Sequence, residues 1–281
     1  MRQRSHRMRA LADRGASVAA GISSLSGILV MGWILYEILR RGAAALNWSF
    51  FTKLPTPAGV AGGGVVNAIA GTLLITSLAA VVGIPLGLFA GVYLAEFGKN
   101  SHAAAALRFV SNLLMGTPSI IIGVFVYTLI VVPTRSFSAY AGAAALAFIM
   151  LPVMARTAED MLNLVPNELR ESALALGAPK WRVTLEIVFR AARTGLVTGA
   201  LLAVARVSGE TAPLLFTALN SPFWMHSLGE PTANLTVTIF NYSMSPYADW
   251  QRTAWAASFL IVAGVLVLNI TARKLLQERK K

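Results

Sequence analysis

The sequence predicts an all-α, polytopic membrane protein with six transmembrane helices. Three observations carry that expectation. The 281 residues are 56% hydrophobic and 13% charged, against roughly 25% charged in a soluble domain, and the mean hydropathy is +0.64. Uncharged or nearly uncharged runs recur along the chain, each near the roughly 20 residues that a bilayer-crossing helix needs. Lys and Arg gather in alternate loops, as membrane topology requires.

The runs come in order. Ala16–Tyr36 is the first, and the first helix is expected over 16–39. Val65–Ala95 is the second. Phe109–Thr134 is the third and Ser136–Ala155 the fourth. Thr194–Leu219 is the fifth, interrupted by Arg206 and Glu210, and Thr253–Ala272 is the sixth. A basic tail (1–15) precedes the first helix, and an external loop (40–64) follows it. A five-helix core then occupies 65–272, with a cytoplasmic loop over 156–193 and an external loop over 220–251. A second basic tail covers 273–281. A signal-peptide core runs to only about 7–15 residues. The first run is longer than that, so it is expected to stay as an anchor.

Six spans place both termini on one side, and the basic residues say which. Arg2, Arg4, Arg7, Arg9, Arg14, Lys99, Arg108, Arg156, Arg170, Lys180, Arg182, Arg190, Arg193, Arg273, Lys274, Arg279, Lys280 and Lys281 share one side. Arg40, Arg41, Lys53, Arg135 and Arg252 fall on the other. The richer side is expected to be cytoplasmic. This distribution also accounts for the net charge of +12, as loop residues that orient the chain and meet anionic lipid. No single basic patch exists for nucleic acid to bind, so no nucleic-acid partner is expected.

Several chemistries are excluded. The chain has no cysteine, hence no disulfide, thiolate nucleophile or cysteine metal site. It has no Gly-x-x-x-x-Gly-Lys-[Ser/Thr] loop, so ATP must be handled by another polypeptide and no cofactor is expected here. His6, His102 and His226 lie far apart, and no His-Glu-x-x-His occurs, which argues against a membrane enzyme and against a metal site. A secondary transporter often carries internal repeats, and none is visible.

Within the spans, Gly71, Gly83, Gly87 and Gly91 recur at close to four-residue spacing, which lets helix backbones approach. Pro85, Pro118, Pro152 and Pro213 lie in or near spans, where each removes a backbone donor and bends a helix. The segment Asn220 to Gln251 carries Pro222, Phe223, Trp224, Pro231, Tyr242, Pro246, Tyr247 and Trp250. It suits either an interfacial aromatic belt or a surface for an external partner.

The cytoplasmic loop has finer features. Asn167 can cap a helix beginning at Glu168. Leu169, Ala173 and Leu176 form one apolar stripe. Gly177 suits a left-handed C-cap, and Pro179 the first turn of a second helix leading to the fifth span. A short amphipathic helix of this kind packs on its own chain, lies on lipid, or docks in a partner's groove.

The fifth span holds the costliest residues. A lone Arg in a bilayer is unfavourable by several kcal/mol, so Arg206 should face a cavity or a partner helix. Residues four apart share a helix face, so Glu210 can pair with it. As a structural brace the pair would hold helices together. As a functional device Arg206 would be shared between Glu210 and a passing anion, since guanidinium presents a planar fork to an oxyanion. Transport needs release as well as capture, and intramembrane ions are by default functional. Ser208, Thr211, Thr117 and Ser119 are candidate hydroxyl donors.

Two resemblances give these residues a context. Glu171-Ser172-Ala173, three residues, Gly177, nine residues and Ile187 resembles the EAA loop of ABC-importer permeases, with Ser172 for the first alanine and Phe189-Arg190 for the family's Leu-Pro. Ala205 to Leu215 is similar to the "AR-x-x-GETAPLL" segment of phosphate permeases. Gly116-Thr117-Pro118-Ser119-Ile120 with Gly123 and Phe125 resembles their "G-x-PSI…G-x-F" segment. Gly62-Gly63-Gly64 and Gly71-Thr72-Leu73 also fit. Together they resemble the PstA-type subunit of the phosphate-specific transport (Pst) system. That resemblance implies a MetI-like core, inorganic phosphate as substrate, and membrane lipid of a bacterial inner membrane as surroundings. It implies a PstC-type permease as heterodimer partner, two copies of a PstB-type ATPase that bind ATP and Mg, and a PstS-type external binding protein. Glu168, Leu169, Glu171, Ser172, Ala173, Leu176 and Gly177 would then couple to the ATPase. Permeases for sulfate, molybdate or amino acids share the loop but would not be expected to carry Arg206 with the Gly-Glu-Thr-Ala-Pro tail.

Overall fold

The computed structural model describes residues 6–60, 62–98 and 101–277, and all regular structure among them is helical. Arg2, Arg4, Lys99, Arg279, Lys280 and Lys281 lie outside the described residues. Eleven helices follow in order: α1 His6–Ala45, α2 Trp48–Thr52, α3 Val66–Phe97, α4 His102–Gly116, α5 Ser119–Thr134, α6 Ala139–Asn163, α7 Asn167–Ala175, α8 Lys180–Val207, α9 Ala212–Leu215, α10 Leu235–Ser243 and α11 Ala248–Gln277. α3 ends in a π-helical turn at Tyr93–Phe97, α5 contains one at Tyr127–Val131, and α8 contains one at Val183–Val188.

The centre of the bundle is α3 against α6. A Cβ on Gly87 would stand 2.7 Å from the Leu151 carbonyl oxygen and from Met154 Cβ, and one on Gly91 would stand 2.6 Å from the Ala155 carbonyl oxygen. Gly83 meets Met150 and Ala147. Small residues thus bring the two backbones together, as their spacing suggested. The contacts advance along both helices in the same direction, so α3 and α6 run parallel. Two parallel neighbours need a return crossing between them, and only α4 with α5 is available to make it.

That return, over the third uncharged run Phe109–Thr134, is sharply bent. α4 and α5 meet at 106°. The cause is local: Pro118 has no N–H to continue the ladder, and Thr117 before it is extended (φ −77°, ψ 131°). Five helices are long and apolar enough to cross a membrane, six if the bent pair is counted as one broken span.

α8 runs back along α6. Gly195 packs on Met161 and Gly199 on Thr157, an antiparallel register. Three apolar clusters stack along the bundle. One holds Phe50, Val65, Leu235 and Ala256. A central one holds Ile75, Leu146, Met150, Val207 and Leu214. The third holds Met154, Leu162, Ala173, Val188 and Leu196.

α1 is 40 residues long, about 60 Å at 1.5 Å per residue, and its apolar stretch is exposed throughout. It touches the bundle near its end, where Gly42 meets Trp255 and Phe259 and Arg41 lies 5.2 Å over the Trp255 ring. Arg40 and Arg41, which sit against the charge rule, both pair with Glu37, at 3.1 and 2.6 Å.

Candidate translocation and coupling sites

The fifth uncharged run was expected to be one helix through Leu219. The structure ends α8 at Val207. The Ser208 hydroxyl donates to the Val204 carbonyl at 2.7 Å, Gly209 follows, and Pro213 sits in the first turn of α9, where its missing N–H leaves no bond to carry α8 onward. Arg206 and Glu210 therefore do not share a helix face. No ion pair joins them, a correction to the i,i+4 bridge that one continuous helix would allow. Among the described residues no carboxylate lies within ion-pair distance of Arg206, which is exposed on this chain. Glu210 is half-buried, and its backbone oxygen accepts from the Thr236 hydroxyl at 2.9 Å.

Arg206 lies about 20 Å past Arg193 along α8, beyond a stretch with no charge. That depth is inside a hydrocarbon core of about 30 Å. The other candidates divide around it. Ile122, Val207 and Leu214 share the central cluster, so the break before α5 and the break after α8 meet in space. Thr117 and Ser119, both half-buried, stand at the first break. The Thr117 hydroxyl donates to the Leu113 carbonyl at 2.8 Å. Thr211 precedes α9. Ser208 is not brought together with Arg206: it lines a largely apolar groove of about 460 Å³ with Thr72, Thr76 and Ser77, between α3, α8 and α11. Two positions apart on a helix means about 200° of rotation.

The segment Asn220 to Gln251 folds back onto the bundle. Asn67 donates to the Ser221 carbonyl at 2.8 Å, and the Leu235 N–H donates to the Thr72 hydroxyl at 2.8 Å. Asn234 caps α10 through the Val237 N–H. Tyr242 stacks on Trp250 with ring centroids 4.5 Å apart. Burial there pushes the Tyr242 phenol up from its ordinary range. Phe223 and Trp224 remain exposed.

At the opposite end, α7 is the short helix the loop pattern called for. It begins one residue earlier than expected: Asn167 is its first residue and caps nothing, because Pro166 occupies the cap position. Gly177 has φ +82°, a left-handed conformation that favours glycine. Its N–H donates to the Leu174 carbonyl at 2.9 Å. Pro179 stands just before α8, not in its first turn as expected, and α8 is one continuous helix of 28 residues from Lys180 with a π-helical turn within it, about 42 Å long. The apolar stripe divides. Ala173, at its edge, is buried with Val183 and Val188, while Leu169 and Leu176 face outward with Glu168, Glu171 and Ser172. Leu176 is 89% exposed.

The sequence reading missed the polar core beneath this helix. Arg170, counted there only as a loop charge, is buried and reaches Glu96 at 2.7 Å. Arg108 reaches the buried Glu159 at 2.7 Å and the Leu94 carbonyl at 3.2 Å. The available signal was Glu96 itself, the acid that closes the uncharged run Val65–Ala95.

A multi-pass helical bundle with a cation beside a helix break, and a short amphipathic helix exposed at one end, is the architecture of a membrane permease. Residues 83–280 match the family model of the binding-protein-dependent transport system inner membrane component. The chain is 46% identical to the phosphate transport system permease protein PstA of Yersinia pestis, over 99% of this chain and 95% of that one. It is 48% identical to the PstA of Haemophilus influenzae, over 92% of each. Among solved structures, the MetNI methionine ABC transporter in an inward-facing form aligns with TM-score 0.62 at 21% identity, covering 76% of this chain and 94% of that chain. The chain belongs to the inner-membrane components of binding-protein-dependent transport systems, as a PstA-type member, and is a multi-pass membrane protein of that class.

Proposed function

We propose that this chain forms half of the translocation pathway of an ATP-driven importer of inorganic phosphate, with Arg206 as the residue that meets the anion. The observation that carries the reading is Arg206 itself: exposed, at membrane depth, and without a carboxylate partner among the described residues. Such a charge must be answered by an anion or by a second subunit. Its planar fork suits phosphate oxygens. In this reading Glu210, four residues on and beyond the end of α8, competes with the anion and favours release. Thr117, Ser119 and Thr211 supply hydroxyls around the two breaks, and Ser208 does so from the neighbouring groove.

The names of the relatives favour phosphate as the substrate. Six crossings make half a pathway, so the partner is a similar permease of PstC type. The exposed face of α7 (Glu168, Leu169, Glu171, Ser172, Leu176), ended by Gly177 and anchored by Ala173, docks on a PstB-type ATPase, one of two copies, which binds ATP and Mg and carries out hydrolysis. A PstS-type binding protein delivers phosphate from outside. Both termini are cytoplasmic. The rod α8 joins the docking helix to Arg206, so movement at one end repositions the other.

The test is Arg206→Lys in the reconstituted complex. Charge is kept and the fork is lost, so phosphate uptake falls by about tenfold or more, the value of one charge-assisted hydrogen bond, with assembly and ATPase binding unchanged. Uptake at the wild-type rate would remove Arg206 from the pathway.

A further inference from the structure

We infer that the buried Glu96–Arg170 ion pair is a mechanical joint: it makes the coupling helix α7 move with α3 and α6, so that an ATPase drives both walls of the bundle and not α8 alone. The inference rests on the proposal that α7 docks on an ATPase.

α7 has little else to hold it. Of its nine residues only Arg170 and Ala173 are buried. Arg170 lies at the meeting point of three elements. Its Nη2 donates to Glu96 Oε1 at 2.7 Å and its Nε to the same oxygen at 3.1 Å. Nη2 also donates to the Leu162 carbonyl at 2.7 Å, and Nη1 donates to the Val165 carbonyl, to the Pro166 carbonyl at 3.5 Å and to Asn167 Oδ1 at 3.4 Å. Leu162 and Val165 bracket the end of α6, whose last carbonyls lack partners within the helix. One guanidinium therefore caps α6, grips α3 and belongs to α7.

A buried ion pair is a weak way to gain stability, because apolar residues of the same volume often do as well, but it fixes geometry and is costly to break. That combination suits a joint. Glu96 sits in the π-helical turn of α3, and the first turns of α8 contain another at Val183–Val188. Such turns interrupt the regular ladder and often mark functional sites. Lys180 of α8 lies 5.1 Å over the Phe97 ring of α3, so α3 and α8 meet beside the joint. Above it, α3 and α6 are locked at Gly83, Gly87 and Gly91. A push on α7 thus enters α3 and α6 through Arg170, and α8 through the Gly177–Pro179 turn. Arg170 and Glu96 are positioning residues that touch neither phosphate nor ATP.

The test uses the assembled transporter in proteoliposomes, with phosphate uptake and ATP hydrolysis measured on the same sample. Glu96→Gln keeps the volume and removes the charge. The expected result is normal subunit stoichiometry, continued hydrolysis, and about tenfold less phosphate moved per ATP, within the usual range of coupling free energies. Arg170→Lys, which keeps the charge, restores part of the ratio relative to Arg170→Gln. An unchanged ratio in Glu96→Gln overturns the joint. A wild-type complex with no ATP-driven uptake would instead defeat the functional reading beneath it.

If Glu96→Gln does not assemble, the native pair is followed directly. The chain has no cysteine, so spin labels at Ala175→Cys on α7 and Phe89→Cys on α3, both exposed, are its only thiol sites, and cysteine-free partner subunits complete the complex. Their separation should hold within about 2 Å between nucleotide-free and ATP-trapped states, the scale of small helix shifts, while both labels move against a label on the partner permease. A larger change in their separation overturns the inference.

Discussion

Gly123 of α5 lies directly against Pro213 of α9: a Cβ at position 123 would stand 2.6 Å from Pro213 Cα and 3.1 Å from its carbonyl oxygen. The two helix breaks that frame the proposed pathway are held together by that missing side chain. Backbone on both sides leaves nothing flexible to yield. Gly123→Ala is therefore expected to lower stability by about 1–3 kcal/mol, the usual effect of overpacking, and to reduce phosphate uptake by displacing Pro213 from α5. Gly116→Ala, at a position with nothing within 4 Å, serves as the control and should leave both unchanged. Thermal unfolding in detergent and uptake in vesicles measure the two effects.

The spans were legible because the bilayer enforces them: an uncharged run of sufficient length has few alternatives. The glycine rhythm of α3 and the left-handed Gly177 were legible for a similar reason, since each follows from one residue's sterics. The breaks at Thr117–Pro118 and Ser208–Gly209 were not, because membrane helices tolerate Pro and Gly and whether a helix continues past them depends on what packs alongside. The tie between Glu96 and Arg170 was beyond reach for another reason. The two residues are 74 positions apart, and no local pattern links a loop arginine to the acid at a helix end. Ala173 shows the limit of periodicity: the spacing identified the stripe, but not which of its members would turn inward.

The separation of Arg206 from Glu210 makes a distinguishing prediction. Were the two a structural brace, Glu210→Gln would strand a charge in the bilayer and destabilise the chain. With no ion pair between them, Glu210→Gln should shift stability by no more than about 0.5 kcal/mol, as for an ordinary partly exposed substitution. Its effect should appear in transport, as tighter retention of phosphate and slower turnover. Unfolding midpoints together with phosphate release rates separate the two accounts. A large stability loss without a change in release would favour the brace.

Gly177 predicts an order among substitutions. The space around its Cα is open, with nothing within 4 Å, so the penalty of a side chain is conformational. Asp tolerates the left-handed region better than a β-branched residue does. Gly177→Val should therefore disturb the turn by about 1–2 kcal/mol, and Gly177→Asp by less. Both add a side chain beside the proposed docking face, so both should lower the phosphate transported per ATP. If Gly177→Asp uncouples while the fold melts as wild type, the cause lies at the ATPase contact and not in the turn. Differential scanning of the purified complex, alongside the coupling ratio, resolves this.

Leu176 is the most exposed apolar residue of the proposed docking face. At 89% exposure it contributes nothing to its own core, whereas Ala173, three residues earlier, is buried. Leu176→Asp should accordingly leave the isolated permease folded and inserted, with stability unchanged within about 0.5 kcal/mol. Ala173→Asp should compromise folding, because it buries an unpaired carboxylate. Burying a leucine side chain at an interface is worth about 1.5–3 kcal/mol, so Leu176→Asp should weaken ATPase binding by about ten- to a hundredfold, and Leu169→Asp should do so to a lesser degree. Titration of the ATPase onto permease in lipid nanodiscs measures the affinity directly. Unchanged binding by the Leu176→Asp protein would move the docking face away from this side of α7.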